Sequence, residues 1–146
     1  MNRSASASLY SPAILALAVE LADYPIEKES AVRAEARSRT CGSVVDLSVS
    51  LDDQRQIATL GLRVSACAVG QAAAAIFAKG AIGCSAQGIA QTRREIARWL
   101  AGESDRPDWP RLEMLDPAVP HPGRHEAILL PWKAAEEALF NAADAR

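Results

Sequence analysis

Three stretches in the first half of the chain alternate apolar and polar residues with a period of two. Val32, Ala34 and Ala36 alternate with Arg33, Glu35 and Arg37; Val45, Leu47, Val49 and Leu51 with Asp46, Ser48 and Ser50; Leu60, Leu62 and Val64 with Thr59, Gly61 and Arg63. Neighbouring side chains of a strand point to opposite faces, so each stretch predicts a strand with one buried and one polar face. Cys41-Gly42-Ser43 and Asp52-Asp53-Gln54-Arg55 supply turns between them. The simplest product is a three-stranded antiparallel meander.

The flanking segments switch to helical spacing. Ser11 before Pro12 is an N-cap followed by proline at the first helical position, and Ile14, Leu15, Leu17, Ala18 and Leu21 form one face of a helix to about Asp23, closed by Tyr24-Pro25. After Cys67 an alanine-rich stretch, Ala68 to Lys79, has the strongest helix propensity in the chain. Gly80 and Gly83 interrupt it. Ser85 then caps a helix to about Leu100, with Ile89, Ile96, Trp99 and Leu100 inward and Arg93, Arg94 and Arg98 outward as a solvated face or an arginine-rich docking surface, ending at Gly102. Asp108 is expected to cap a short helix carrying Leu112 and Leu115, with a loop from Pro117 to Gly123. Proline is cheap only in a helix's first turn, so Pro131 is read as opening a terminal helix, Trp132 to about Ala142, after a separate short helical segment. Strands followed by helices predict an α+β fold, a three-stranded antiparallel sheet with helices packed on one face. Residues 1–9 read as a disordered tail and residues 10–146 as a single domain.

Composition narrows the function. With 16 Lys and Arg against 18 Asp and Glu, the net charge of −2 provides no footprint for nucleic acid. No apolar run reaches the roughly 20 residues of a membrane span, and the segment Pro12 to Val19, followed by Glu20 and Asp23, reads as an amphipathic helix and not a signal peptide. Three cysteines without a secretory signature predict a reducing, cytoplasmic setting, where thiols act as ligands or nucleophiles. No Ser/His/Asp arrangement, phosphate loop or paired-carboxylate site stands out, so turnover of a small substrate is not expected and the chain is read as a non-enzyme.

In a meander, the turn between strands one and two lies at the same end as the finish of strand three. Cys41 and Cys67 should therefore be neighbours, with Gly42 allowing a tight turn and a helix N-terminus directly after Cys67 favouring a thiolate. Spacing alone fits ordinary free cysteines as well as it fits ligands. Cys84 lies beyond the alanine-rich helix, about 18 Å along at 1.5 Å per residue, and reads as a small residue near a helix start. His121 and His125 read more simply as a solvated loop pair than as metal ligands.

Thr40-Cys41-Gly42-Ser43 before a strand, Ala66-Cys67-Ala68-Val69 entering a helix, and Arg124 followed by Leu129, Pro131, Trp132 and on to Leu139 together resemble the IscU/NifU/SufU scaffold family over about Tyr10 to Leu139. The resemblance implies a SufE/NifU-like fold. It also implies a scaffold that accepts sulfur from a cysteine desulfurase, binds iron or a [2Fe–2S] cluster, and passes it to an apo-protein acceptor. Cys41 and Cys67 match two of the family's cysteines; its third falls on Ala127, its aspartate on Ser43, and its asparagine-proline-arginine motif is replaced by Tyr24-Pro25-Ile26-Glu27. Such a cluster takes four protein ligands. Either two chains share a cluster through Cys41 and Cys67, or Ser43, Glu126 or His125 completes a more labile site. Two readings compete with the scaffold: a SufE-like sulfur acceptor that forms no cluster, and a degenerate interaction protein that is metal-free or binds zinc.

Overall fold

The computed structural model describes residues 9–29 and 32–144. The expected tail, apart from Leu9, lies outside the described residues. Strands β1 (Val32–Arg37), β2 (Val44–Leu51) and β3 (Ile57–Ser65) form one antiparallel sheet in the order β1-β2-β3. Arg37 pairs with Val44 and Val44 with Ser65, so the β1–β2 loop and the finish of β3 share one end of the sheet. The period-two pattern chose the inner face: Val45, Leu47, Val49, Leu60 and Leu62 are buried.

Ser48 departs from that pattern. It lies on the face expected to be polar and is fully buried, because the segment after the first helix crosses there. Tyr24 O accepts the Leu62 N–H at 2.7 Å, and the Glu27 N–H donates to Ser48 Oγ at 3.1 Å. A Cβ on Gly61 would fall 2.1 Å from Pro25 O, so only glycine permits this approach. The segment thereby pairs with part of the free edge of β3, which would otherwise be open to association.

Among the described residues four helices pack with the sheet: α1 (Pro12–Val19), extended by a 3-10 turn Glu20–Asp23, α2 (Ala68–Ala81), α3 (Ala86–Leu100) and α4 (His125–Asp144). Ser11 and Ser85 cap α1 and α3 through their side chains, as their positions before the apolar runs predict. Helix α2 is buried almost all round, including Val69, Ala72–Ala78 and Ala81. It lies against α1, α4 and β3, while α4 packs on β1 and β2 and against α2 and α3.

Three sequence expectations are corrected. Pro131 lies inside α4, which runs unbroken from His125. An interior proline costs about 3 kcal/mol. Burial of Ile128, Leu130, Trp132 and Leu139 along the same helix, about 1.5–3 kcal/mol for each large side chain, outweighs it. The region expected to be a short helix capped by Asp108 followed by a loop is two 3-10 segments, Leu112–Ala118 and Pro122–Arg124, with Arg111 in the first capping position at φ 65°. Arg93, expected to face solvent, pairs with Glu136 across the α3–α4 contact.

Trp109 was not anticipated as a structural residue. Its Nε1 donates to Ile76 O at 2.9 Å, and its ring stacks on Phe77 at 6.2 Å between centroids. Trp132 meets both rings edge-on at 5.3 Å. Trp109 also lies against Gly80 near the close of α2, and beyond that close, at the sheet's other end, Ile57 exchanges hydrogen bonds with Gly83 and Cys84.

Candidate functional site

The β1–β2 hairpin closes with the Ser38 N–H donating to Ser43 O at 2.8 Å, and Gly42 makes the turn at φ 73°. One strand over, Cys67 is the N-cap of α2, directly beyond Ser65 and Ala66. An open cleft of about 320 Å³ lies between these segments and the start of α4, lined by Cys41, Ser43, Cys67, Arg124 and Ala127 together with Gly42, Ser65, Ala66 and Gly123. Two thiols separated in sequence by the whole of β2 and β3 thus face the same space. Cys41 is exposed, Cys67 half-buried and Ser43 buried.

The other candidates lie elsewhere. Glu126 does not line the cleft; its Oε1 accepts the Ser38 hydroxyl at 2.6 Å and the Arg39 N–H at 2.7 Å, with longer contacts from the Thr40 N–H and hydroxyl at 3.4 and 3.3 Å. His125 sits with Nε2 2.9 Å from Val119 O and 3.2 Å from Ala118 O, an environment of acceptors that calls for a protonated nitrogen. His121 Nε2 is buried without a hydrogen-bond partner. Cys84 is at the opposite end of the sheet, its Sγ 3.4 Å from Gly80 O. Among the described residues, no three His, Cys, Asp or Glu side chains gather as a metal site.

Cys41 Sγ lies 3.1 Å from Ser38 Oγ and 3.0 Å from Ser43 Oγ. The Ser38 hydroxyl, then the Ser43 hydroxyl and backbone N–H, hold the Cys41 thiol below its ordinary range, against burial and the Glu126 carboxylate, which push it up. Serine has one proton to give. Ser38 divides its proton between Glu126 and Cys41, whereas the Ser43 hydroxyl can give its own to the thiolate. The Ser38 contact in turn holds the Glu126 carboxyl below its usual range, with the Arg39 and Thr40 amides adding to it. Burial pushes the Cys84 thiol up.

Two cleft features were weakly marked in the sequence. Arg124 places its guanidinium 3.3 Å from the Tyr10 hydroxyl, joining the entrance of α1 to the cleft. Ser38 has no motif of its own; its only signal is that a serine sits three residues before Cys41 at the mouth of a predicted hairpin.

No family model matches the chain, and no curated protein matches it. Solved structures do. A nitrogen-fixing NifU-like protein (N-terminal) from Brucella abortus superposes with a TM-score of 0.87 at 23% identity, covering 97% of this chain and 99% of that one. A protein assigned as an iron–sulfur cluster assembly scaffold for the SUF system, from the thermophile Fervidobacterium islandicum AW-1, gives 0.76 at 21% identity, covering 92% and 98%. A third structure, of a protein without stated function, gives 0.64 at 19% identity over 88% and 97%. The chain is therefore similar over nearly its whole length to these proteins, and its fold is the α+β fold of the NifU-like and SufU structures.

Proposed function

We propose that this chain is a scaffold-type protein of iron–sulfur cluster assembly, related to the NifU and SufU proteins whose fold it has. At the cleft it accepts sulfur from a cysteine desulfurase and holds iron or a [2Fe–2S] cluster as cargo for an apo-protein acceptor. The observation that carries the reading is the convergence of Cys41 and Cys67 on one open cleft. Thiolates are the soft donors that iron–sulfur chemistry requires, and exposed Cys41, with its thiol held low, is the natural point of sulfur entry. The role is that of a carrier in the cytoplasm, not of an enzyme turning over a small substrate.

A four-ligand cluster exceeds what one cleft offers. Ala127 stands where the family resemblance calls for a third cysteine, and Ser43 where it calls for an aspartate. Two chains meeting cleft to cleft would bring four thiolates, which suits the cluster better than hydroxyl or imidazole completion. Ala127 also supports the competing reading, a sulfur carrier that forms no cluster.

The test is anaerobic reconstitution of the chain with iron, cysteine and a desulfurase, followed by iron, zinc and acid-labile sulfide analysis and native mass measurement. Iron and sulfide in near-equal amounts on a dimer, lost in Cys41→Ala and in Cys67→Ala, is the expected result. Clusters on monomers alone would exclude the shared site. A persulfide on one cysteine without iron would identify a sulfur carrier.

A further inference from the structure

The β1–β2 loop that carries Cys41 has few contacts of its own with the core. Arg39, Thr40, Cys41 and Gly42 are all exposed, so packing does not hold the loop in one shape. What ties it down is a chain of hydrogen bonds starting on α4. Glu126 stands in the first turn of that helix, whose following residues Ala127, Ile128 and Leu130 are buried. Its Oε1 takes the Ser38 hydroxyl at 2.6 Å and the Arg39 N–H at 2.7 Å, the two contacts short enough to be strong. Ser38 Oγ in turn accepts the Cys41 N–H at 3.0 Å and the Thr40 N–H at 3.2 Å, and touches Cys41 Sγ at 3.1 Å.

We infer that Glu126 is a positioning residue for Cys41: through Ser38 and the Arg39 amide it fastens the Cys41 loop to the rigid start of α4 and so fixes the thiol at the mouth of the cleft. Oε1 has two lone pairs, and two short hydrogen bonds occupy them. Service as a metal ligand through that oxygen would require giving up one of those bonds. The two roles make different demands on the side chain. A clasp needs an oxygen acceptor in that position, which glutamine also supplies; a ligand to a hard or borderline cation needs the carboxylate charge. That Cys41 is the working thiol rests on the function proposed above, but the clasp itself is measurable on the metal-free chain.

The experiment compares the full-length chain with Glu126→Gln, Glu126→Ala and Ser38→Ala, following amide hydrogen exchange at Arg39 and Cys41 and the rate of Cys41 alkylation by iodoacetamide at one fixed pH. Both Glu126 substitutions remove the same charge, so the difference between them isolates the acceptor. In Glu126→Ala the Arg39 and Cys41 amides are expected to exchange about tenfold faster or more, the factor that losing a hydrogen bond to a charged group gives. Glu126→Gln should stay within about threefold of wild type, as expected for a neutral hydrogen bond in its place. Alkylation of Cys41 should differ between Ala and Gln in the same direction. Ser38→Ala should release the Cys41 amide while Arg39 stays protected. The Cys84 N–H, bonded to Ala81 O at 3.0 Å at the far end of the sheet, serves as the control for global opening. If that control also accelerates in Glu126→Ala, the decision passes to Ser38→Ala. Wild-type exchange in Glu126→Ala, equal exchange in Gln and Ala, or a Cys41 amide still protected in Ser38→Ala would each overturn the inference. Iron and sulfide loading, measured separately on the wild type, reports on the scaffold reading alone.

Discussion

The two ends of the sheet are built from different materials. At one end, a glycine turn, two serines, two cysteines and an arginine surround an open cleft, held by side-chain hydrogen bonds. Toward the other, Trp109 lies against Gly80 near the close of α2, stacks on Phe77 and meets Trp132, and a third cysteine, Cys84, is half-buried. The hydrogen-bonded end leaves its thiols reachable because exposed polar contacts contribute little to stability, while the aromatic end buries large apolar surface. Along α2 the two environments are thus separated, with the cleft that Cys41 and Cys67 line at its N-terminus and the aromatic contacts toward its C-terminus.

The largest expected effect tests the cohesive end. Trp109→Ala removes the indole, its bond to Ile76 O and the ring contacts with Phe77 and Trp132 together. It should cost about 3–5 kcal/mol, read as a fall in the urea midpoint at unchanged slope. Cys41→Ala, at an exposed site, should stay within about 0.5 kcal/mol of wild type. Comparable losses from the two substitutions would dissolve the contrast between the ends.

The next effect reverses the order of sensitivity. Under anaerobic reconstitution, Cys41→Ala and Cys67→Ala should abolish bound iron and sulfide, whereas Cys84→Ala should load like wild type. A Cys84→Ala chain that failed to load while remaining folded would place the third thiol in the chemistry and defeat the division.

A pH titration of thiol alkylation sharpens the same comparison. The thiolate is the reacting species. Hydroxyls beside Cys41 hold its thiol below the ordinary value and burial pushes that of Cys84 above it. As pH rises from neutral, Cys41 should therefore react first and Cys84 only later. Ser43→Ala should move the Cys41 profile to higher pH, since Ser43 is the hydroxyl with a proton free for the thiolate. An unchanged profile would assign the lowering to Ser38 instead.

Much of this was legible because it is local or periodic. Alternation along β1 to β3 chose the buried face, and meander geometry alone brings Cys41 beside Cys67 across the sequence between them. What escaped the sequence depends on contacts between distant segments. Ser48 looked solvent-facing until the Tyr24–Glu27 crossing covered it. Pro131 obeyed a local rule that burial along α4 overrode. Glu126 sits 88 residues from Ser38, and a glutamate in a helix's first turn reads equally well as a favourable charge near the helix N-terminus. No spacing could announce that it reaches across to a hairpin.

The smallest expected effect concerns α1, which spans the two ends and is held differently at each. Near the cleft, Arg124 reaches the Tyr10 hydroxyl through one long contact of 3.3 Å. At the far end, Arg111 grips Glu20 through two bonds of 3.0 and 2.6 Å. The Arg111 hydrogen bond is the main cause of the lowered Glu20 carboxyl. A carboxyl with a depressed folded pKa contributes stability that is present above its unfolded pKa and lost as pH falls through the folded value. With side-chain exposures of 30% and 34%, solvent screening limits the pair to less than about 1 kcal/mol. Arg111→Ala should therefore lower the urea midpoint slightly at neutral pH, with the deficit shrinking as the pH falls below the ordinary carboxylate range and through the depressed folded value of Glu20. Arg124→Ala should leave stability unchanged across that range, because the contact it loses is a single exposed one. If Arg124→Ala proved as costly as Arg111→Ala, the cleft end would be bearing part of the fold's stability, and the contrast between the two ends would be correspondingly less.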